Sequence, residues 1–140
     1  MKSFKTFSGI AAPLIRVNID TDAIIPSREI KTVSKKGLSG GLFAEWRYLS
    51  LESRKENPDF ILNQDPFKKA SILVTGNNFG CGSSREHAVW ALSEWGIRAI
   101  IAPSYGSIFY SNCIKNGILP IVMDGRVISS MSEYIKDNPE

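Results

Sequence analysis

Apolar residues along this chain follow two rhythms. In the second half, short apolar runs alternate with stretches where apolar positions return every three or four residues. Ser71-Ile72-Leu73-Val74-Thr75 is a run of the first kind and reads as a short buried strand bounded by Gly76. Ala88, Ala91, Leu92 and Trp95 stand at i, i+3, i+4 and i+7, so the spacing predicts a helix over 84–95 with Gly96 as its stop. Ile97 to Ala102 is a second strand, Tyr105 to Lys115 a second helix closed by Asn116-Gly117, and Leu119 to Met123 a third strand. Pro120 lacks a ladder donor, which sends that strand to a sheet edge or puts the proline at its start. Val127, Ile128, Met131, Tyr134 and Ile135 make one more amphipathic helix. Strand–helix–strand units of this kind imply an α/β fold with parallel pairing and right-handed crossovers.

The first half is less regular. Phe4 to Ile10 reads as a strand, and Asn18-Ile19-Asp20-Thr21-Asp22-Ala23-Ile24-Ile25-Pro26 as a loop with two carboxylates around a threonine. Lys35 to Gly41 is basic and glycine-rich and reads as a mobile loop. Leu42, Phe43, Trp46 and Leu49 give a short helix. Leu51 to Phe67, polar and interrupted by Pro58 and Pro66, reads as surface loop. No internal repeat or low-complexity tract is visible, and 1–140 reads as a single domain.

Chemistry concentrates in Gly80-Cys81-Gly82-Ser83-Ser84-Arg85-Glu86-His87-Ala88, where a strand hands over to a helix. Ser83 followed three residues later by Glu86 is a capping-box pattern. A helix start offers free N–H groups and a partial positive charge, and Arg85 adds a two-pronged donor suited to a carboxylate. The stretch announces an anion site with hydroxyls beside it.

Composition narrows the function classes. The chain has 140 residues, 43% hydrophobic and 10% aromatic, with a formal charge of +3. Its cations are dispersed, which argues against nucleic acid and membrane surfaces as partners. No apolar run approaches the ~20 residues of a membrane span, and the N-terminus lacks the apolar stretch of a secretion signal, so cytoplasm is the expected location. Two cysteines and one histidine cannot build a zinc site or ligate an iron–sulfur cluster in the usual way, so no metal is expected in this chain.

Several residues admit two readings. Ser83 and Ser84 are helix-capping hydroxyls or members of the anion site. Arg85 is a surface arginine or an anion ligand. His87 orients Ser83 from one turn away or supports neighbouring side chains. Cys81 with His87 is a nucleophile pair or two unrelated side chains, and Cys113 reads as a core residue. Asp20 and Asp22 are a metal-binding pair or, with Thr21, a loop held by its own side-chain to backbone bonds.

The nine residues from Gly80, the segment Asn18 to Pro26, and the stretches Ile100 to Tyr105, Phe109 to Asn112 and Gly117 to Pro120 together resemble the small subunits of bacterial 3-isopropylmalate dehydratases, in the aconitase superfamily. The resemblance covers essentially the whole chain. It implies an aconitase-type swivelling β/β/α domain that closes over a partner. It further implies interconversion of 2- and 3-isopropylmalate through an alkene, in leucine biosynthesis. A large subunit would carry a four-iron, four-sulfur (4Fe-4S) cluster that takes the hydroxyl. By the same resemblance Ser83 is the base, Ser84 and Arg85 bind a substrate carboxylate, and the segment Ser27 to Lys31 lies near the variable group. There Ile30 would touch the isopropyl tail, and Arg28 or Lys31 would meet the second carboxylate. His87, Asp20, Thr21 and Asp22 would support these groups. Val89 stands where the family often has proline, and the family's usual C-terminal segment beyond Lys136 is expected to be missing, which would leave apolar surface for self-association. Two other functions compete. One is a homoaconitate- or methylmalate-type hydratase subunit. The other is a phosphate- or nucleotide-binding module, although the lysine after Gly82 and the third glycine at Arg85 that such motifs need are absent.

Overall fold

The computed structural model describes residues 8–30, 37–50, 52–83 and 85–139. Among these residues four strands form one fully parallel sheet in the order β1-β2-β3-β4: β1 Ala11–Leu14, β2 Ile72–Thr75, β3 Ala99–Ala102 and β4 Leu119–Val122. Ala12 pairs with Leu73, Leu73 with Ile100, and Ile100 with Pro120. All four residues of β3 are buried, as a continuous apolar run in a parallel sheet covered on both faces should be. The crossovers run through α3 (Glu86–Trp95) and α4 (Ser107–Lys115), which pack on each other. With right-handed crossovers and sequential strand order, both fall on one face. The final helix, α5 (Gly125–Asp137), packs along β1, β2 and β3 with Ile128 and Ile135 buried, and so covers the other face.

Both outer strands carry a proline. Leu119 and Met123 donate to the carbonyls of Arg98 and Ala102, so by alternation the missing N–H of Pro120 falls on the free border. Ile72 donates to Ile10, so Pro13 likewise faces outward on β1. Each proline sits where it removes no ladder bond and blunts an exposed edge.

The expected first strand at Phe4 to Ile10 is corrected to Ala11–Leu14, and its residues 4–7 lie outside the described residues. Ala11-Ala12 carries little apolar signal by itself. It becomes strand because α5 and the turn at Ile61–Asn63 pack against it. Between β1 and β2 lie two single-turn helices, α1 (Thr21–Ile24) and α2 (Ala44–Arg47). The first was expected as loop. The second is shorter than the expected 42–49 because the chain enters it through Phe43 with φ of 51°, and Leu49 is left exposed. The polar stretch 51–67 is not only surface: Phe60 and Leu62 are buried and 3-10 turns form at Ile61–Asn63 and Phe67–Lys69. Phe43 and Phe60 pack with Trp46 there, ring centroids 5.8 to 6.3 Å apart.

Two glycines let the loops after β2 and β3 touch. A Cβ on Gly106 would lie 2.5 Å from the Gly80 carbonyl oxygen, and one on Gly80 would overlap the Phe109 ring. Gly106→Ala adds its methyl against backbone that cannot step aside, so it should destabilise the fold by about 2–4 kcal/mol. Gly125→Ala, in open space at the start of α5, should leave stability unchanged or raise it by up to ~1 kcal/mol. Urea unfolding of both variants checks the contrast.

Candidate functional site

The site lies at the carboxyl ends of the parallel strands, where such sheets usually bind ligands. Pairing continues past the strands into the loops: Asp20 pairs with Cys81 and Phe79 with Tyr105, both in parallel register. Gly80 donates to the Ile19 carbonyl at 2.7 Å, and Thr21 donates to the Cys81 carbonyl at 2.9 Å. On the other side Phe79 donates to Ser104 at 3.1 Å and Gly106 to Phe79 at 2.9 Å. The loop after β2 is therefore stitched between the loops after β1 and β3. Phe79 is fully buried beneath it, edge-on to Phe109 at 5.3 Å.

Above Phe79 the loop turns twice through left-handed glycines, Gly80 at φ 77° and Gly82 at φ 90°. Ser83 follows, exposed. Ser84 lies outside the described residues. The helix starts at Glu86 with Arg85 at the N-cap, so the capping-box expectation is corrected. Arg85 has extended backbone, φ −123° and ψ 102°, which delays the helix and puts Glu86 on its first residue instead of its third. The Glu86 carboxylate instead accepts from Asn116 Nδ2 at 2.9 Å and lies 3.7 Å from Lys115.

Arg85 leans toward α1. Its Nη1 donates to the Ile25 carbonyl at 2.9 Å and to Asp22 Oδ1 at 3.3 Å, and its side chain stays 21% exposed. Asp20 accepts from the Ala23 N–H at 2.7 Å and caps α1. Thr21 Oγ1 donates to the Ser83 carbonyl at 2.9 Å. The structure thus brings together Asp20, Thr21, Asp22, Ser83 and Arg85. Of the two readings of the Asp20–Asp22 turn, side-chain to backbone bonding is the one present.

Among the described residues, no side-chain hydrogen bond or ion pair links His87, Arg28 or Ile30 to this group. His87, on α3, lies edge-on to Trp90 at 4.8 Å, and its buried Nε2 has no hydrogen-bond partner among the described residues. Neither Ser83 nor Cys81 bonds to it among the described residues. Arg28 pairs with Glu45 at 3.1 Å, and Ile30 is half-buried against the core. Lys31 lies outside the described residues. Cys113 is fully buried on α4, where burial pushes its thiol up to about 12. The fit to a metal group is poor: among the described residues no three His, Cys, Asp or Glu side chains gather as ligands, and the two cysteines sit on separate elements.

A set of charged anchors escaped the sequence reading. Glu94, near the end of α3, accepts from the N–H groups of Gly37 at 2.6 Å and Ser39 at 2.7 Å. Arg47, only 6% exposed, donates to the carbonyls of Ser39, Gly40 and Leu42 and stacks over Trp95. Arg54 grips Glu29 with two bonds of 2.9 and 3.0 Å, which raise its pKa, and donates to Gly40. The expected mobile loop at Lys35 to Gly41 is corrected for its described part: Gly37 to Gly41 is anchored. Arg47 supplied the only faint signal, a cation beside an aromatic helical stripe.

The profile of the aconitase C-terminal domain matches residues 1–126. The chain belongs to the aconitase C-terminal domain family. Within that family it is 58% identical over 133 residues to the 3-isopropylmalate dehydratase small subunit of Cupriavidus necator, covering 95% of this chain and 64% of that one. It is 51% identical over 138 residues to the small subunit of Leptospira interrogans, covering 99% and 67%. The crystal structure of 3-isopropylmalate dehydratase from Methanocaldococcus jannaschii superposes with a TM-score of 0.62 at 35% identity, over 84% of this chain and 62% of that one. The chain spans about two thirds of the length of the curated relatives it matches. No helix among the described residues is long and apolar enough to cross a membrane.

Backbone N–H groups of Ser39 and Gly37 hold the Glu94 carboxyl below its ordinary value of 4.5. Its contribution to stability is therefore complete above about pH 4.5 and is lost as pH falls through the lower folded value. Glu94→Gln should lower Tm by a few degrees at neutral pH, and the gap to wild type should narrow on acidification. Thermal melts from neutral pH to below pH 4 check this.

Proposed function

We propose that this chain is the small, substrate-closing subunit of a 3-isopropylmalate dehydratase and acts on the malate skeleton only beside a large partner subunit. One observation carries the reading. The loop Gly80 to Arg85 presents an exposed serine at the carboxyl end of a parallel sheet, on a chain 58% identical to a dehydratase small subunit. The 4Fe-4S cluster that the family resemblance implies finds no ligand set among the described residues, and in this reading it belongs to the partner.

In this assignment Ser83 removes the proton next to a substrate carboxylate. A serine hydroxyl is a weak acid, so its alkoxide needs nearby donors and positive charge. Arg85 is the described cation on the same loop. Its Nη1 is committed to Ile25 and Asp22, which fixes the plane of the guanidinium and leaves the Nε–Nη2 edge as the two-pronged donor for a substrate carboxylate. Ser84 is proposed to share that carboxylate.

The second carboxylate falls to Arg28 or Lys31, and the isopropyl tail to Ile30. Arg28 suits an exchangeable role. Its pairing with Glu45 is half exposed, with side-chain exposures of 52% and 47%, and pairs of that kind are worth only about 0–1 kcal/mol. A substrate carboxylate can displace Glu45 at small cost. The half-buried position of Ile30 gives an apolar tail a fixed wall rather than a loose one.

The test is turnover of 2-isopropylmalate on mixing the chain with a cluster-loaded large subunit. Ser83→Ala should lower kcat by about 10²–10⁴-fold while the complex still forms in sedimentation. Arg85→Lys should raise KM, because a point charge replaces a fork. Near-normal kcat in Ser83→Ala would remove the serine from its assigned role. Turnover of homoaconitate or methylmalate in place of isopropylmalate would move the substrate assignment.

A further inference from the structure

We propose that Thr21 is a positioning residue for this site, acting through Ser83. The inference rests on the assignment of Ser83 as the reacting serine and extends it to a residue on a different loop.

The loop after β2 does not hold its own shape. Gly80 and Gly82 both have positive φ, and glycine there leaves the backbone freer than any other residue would. The two bonds that flank Gly82 both come from Thr21. Its N–H donates to the Cys81 carbonyl at 2.9 Å, on one side of Gly82, and its Oγ1 donates to the Ser83 carbonyl at 2.9 Å, on the other. The Gly82 position where a Cβ would stand lies 3.9 Å from that same Oγ1. One residue thus straddles the most pliable point of the loop.

Thr21 is itself fixed. It is 2% exposed and opens α1, whose start is capped by Asp20. A buried hydroxyl needs a partner, and the one it has is the backbone of the serine 62 positions away in sequence. A valine of nearly the same shape would keep the packing and lose only this bond. The bond orients the peptide that carries the Ser83 side chain, and small errors in placing a reacting group cost large factors in rate. Thr21 touches no reacting atom in this account, so it should act on kcat and not on substrate affinity.

The experiment uses the full chain mixed with the cluster-loaded large subunit. Thr21→Val should lower kcat about 10–100-fold with KM changed less than about threefold, and Thr21→Ser should recover kcat to within about threefold. In a Ser83→Ala background, Thr21→Val should cost less than about twofold more, since the group it positions is gone. In the chain alone, the backbone carbonyl ¹³C resonance of Ser83 should shift in Thr21→Val and return in Thr21→Ser. Should Thr21→Val not fold, Thr21→Ala is read the same way. Unchanged kcat together with an unchanged Ser83 carbonyl resonance overturns the proposal, as does an equal loss of rate with and without the serine hydroxyl. If wild-type chain and large subunit give no isopropylmalate turnover, the dehydratase reading fails. The Ser83 resonance then decides alone whether Thr21 holds the loop.

Discussion

The site depends on strand pairing that outlasts its strands. Each named strand has only four residues, yet the hydrogen-bond ladder between the first two continues through Gly80, Cys81 and Thr21 after the strands have ended. This extension turns a glycine-rich loop, which could take many shapes, into one with a fixed course. A single helical turn, α1, with its C-cap Ile25, then reaches both Ser83 and Arg85: Thr21 holds the backbone of Ser83, while Asp22 and the Ile25 carbonyl hold Arg85. The Ser83 backbone and the Arg85 guanidinium are set against one reference instead of against each other.

The second half of the chain was legible in its sequence for a simple reason. β2 and β3 are continuous, largely apolar runs that are almost wholly buried, and its helices carry stripes that match a 3.6-residue period. The first half was not, because its elements are one turn long and their stability comes from outside. α1 exists through an Asp20 cap and its bonds to the neighbouring loop, and α2 begins at a left-handed phenylalanine that no periodicity announces. β1 is a strand because of what packs on it. Within the site, the residue types were readable and the partners were not. Nothing in a linear reading says that Arg85 will bond to Ile25 or that a threonine will cross to Ser83. The capping box failed for a related cause: the pattern assumes that the chain enters the helix directly after Ser83, and the extended Arg85 defers that entry.

The charged anchors around Gly37 to Gly41 follow the same logic from the opposite side. Arg47, Arg54 and Glu94 look like solvated surface in the sequence, yet each hydrogen-bonds backbone groups of a segment rich in glycine, Arg54 while also gripping Glu29. A chain with few side chains to pack is ordered by binding its peptide groups. Glu94 stands on α3, the helix that follows the candidate-site loop, so one helix runs from that loop to the segment Glu94 anchors.

The outward prolines at Pro13 and Pro120 have a geometric corollary. Any additional strand laid along either flank would meet a position unable to donate, so lateral growth of the sheet begins with a deficit on both sides. Among the described residues the sheet's flanks are thus poor templates for a further strand, while the rim at the strands' carboxyl tips is where the loops gather the candidate site.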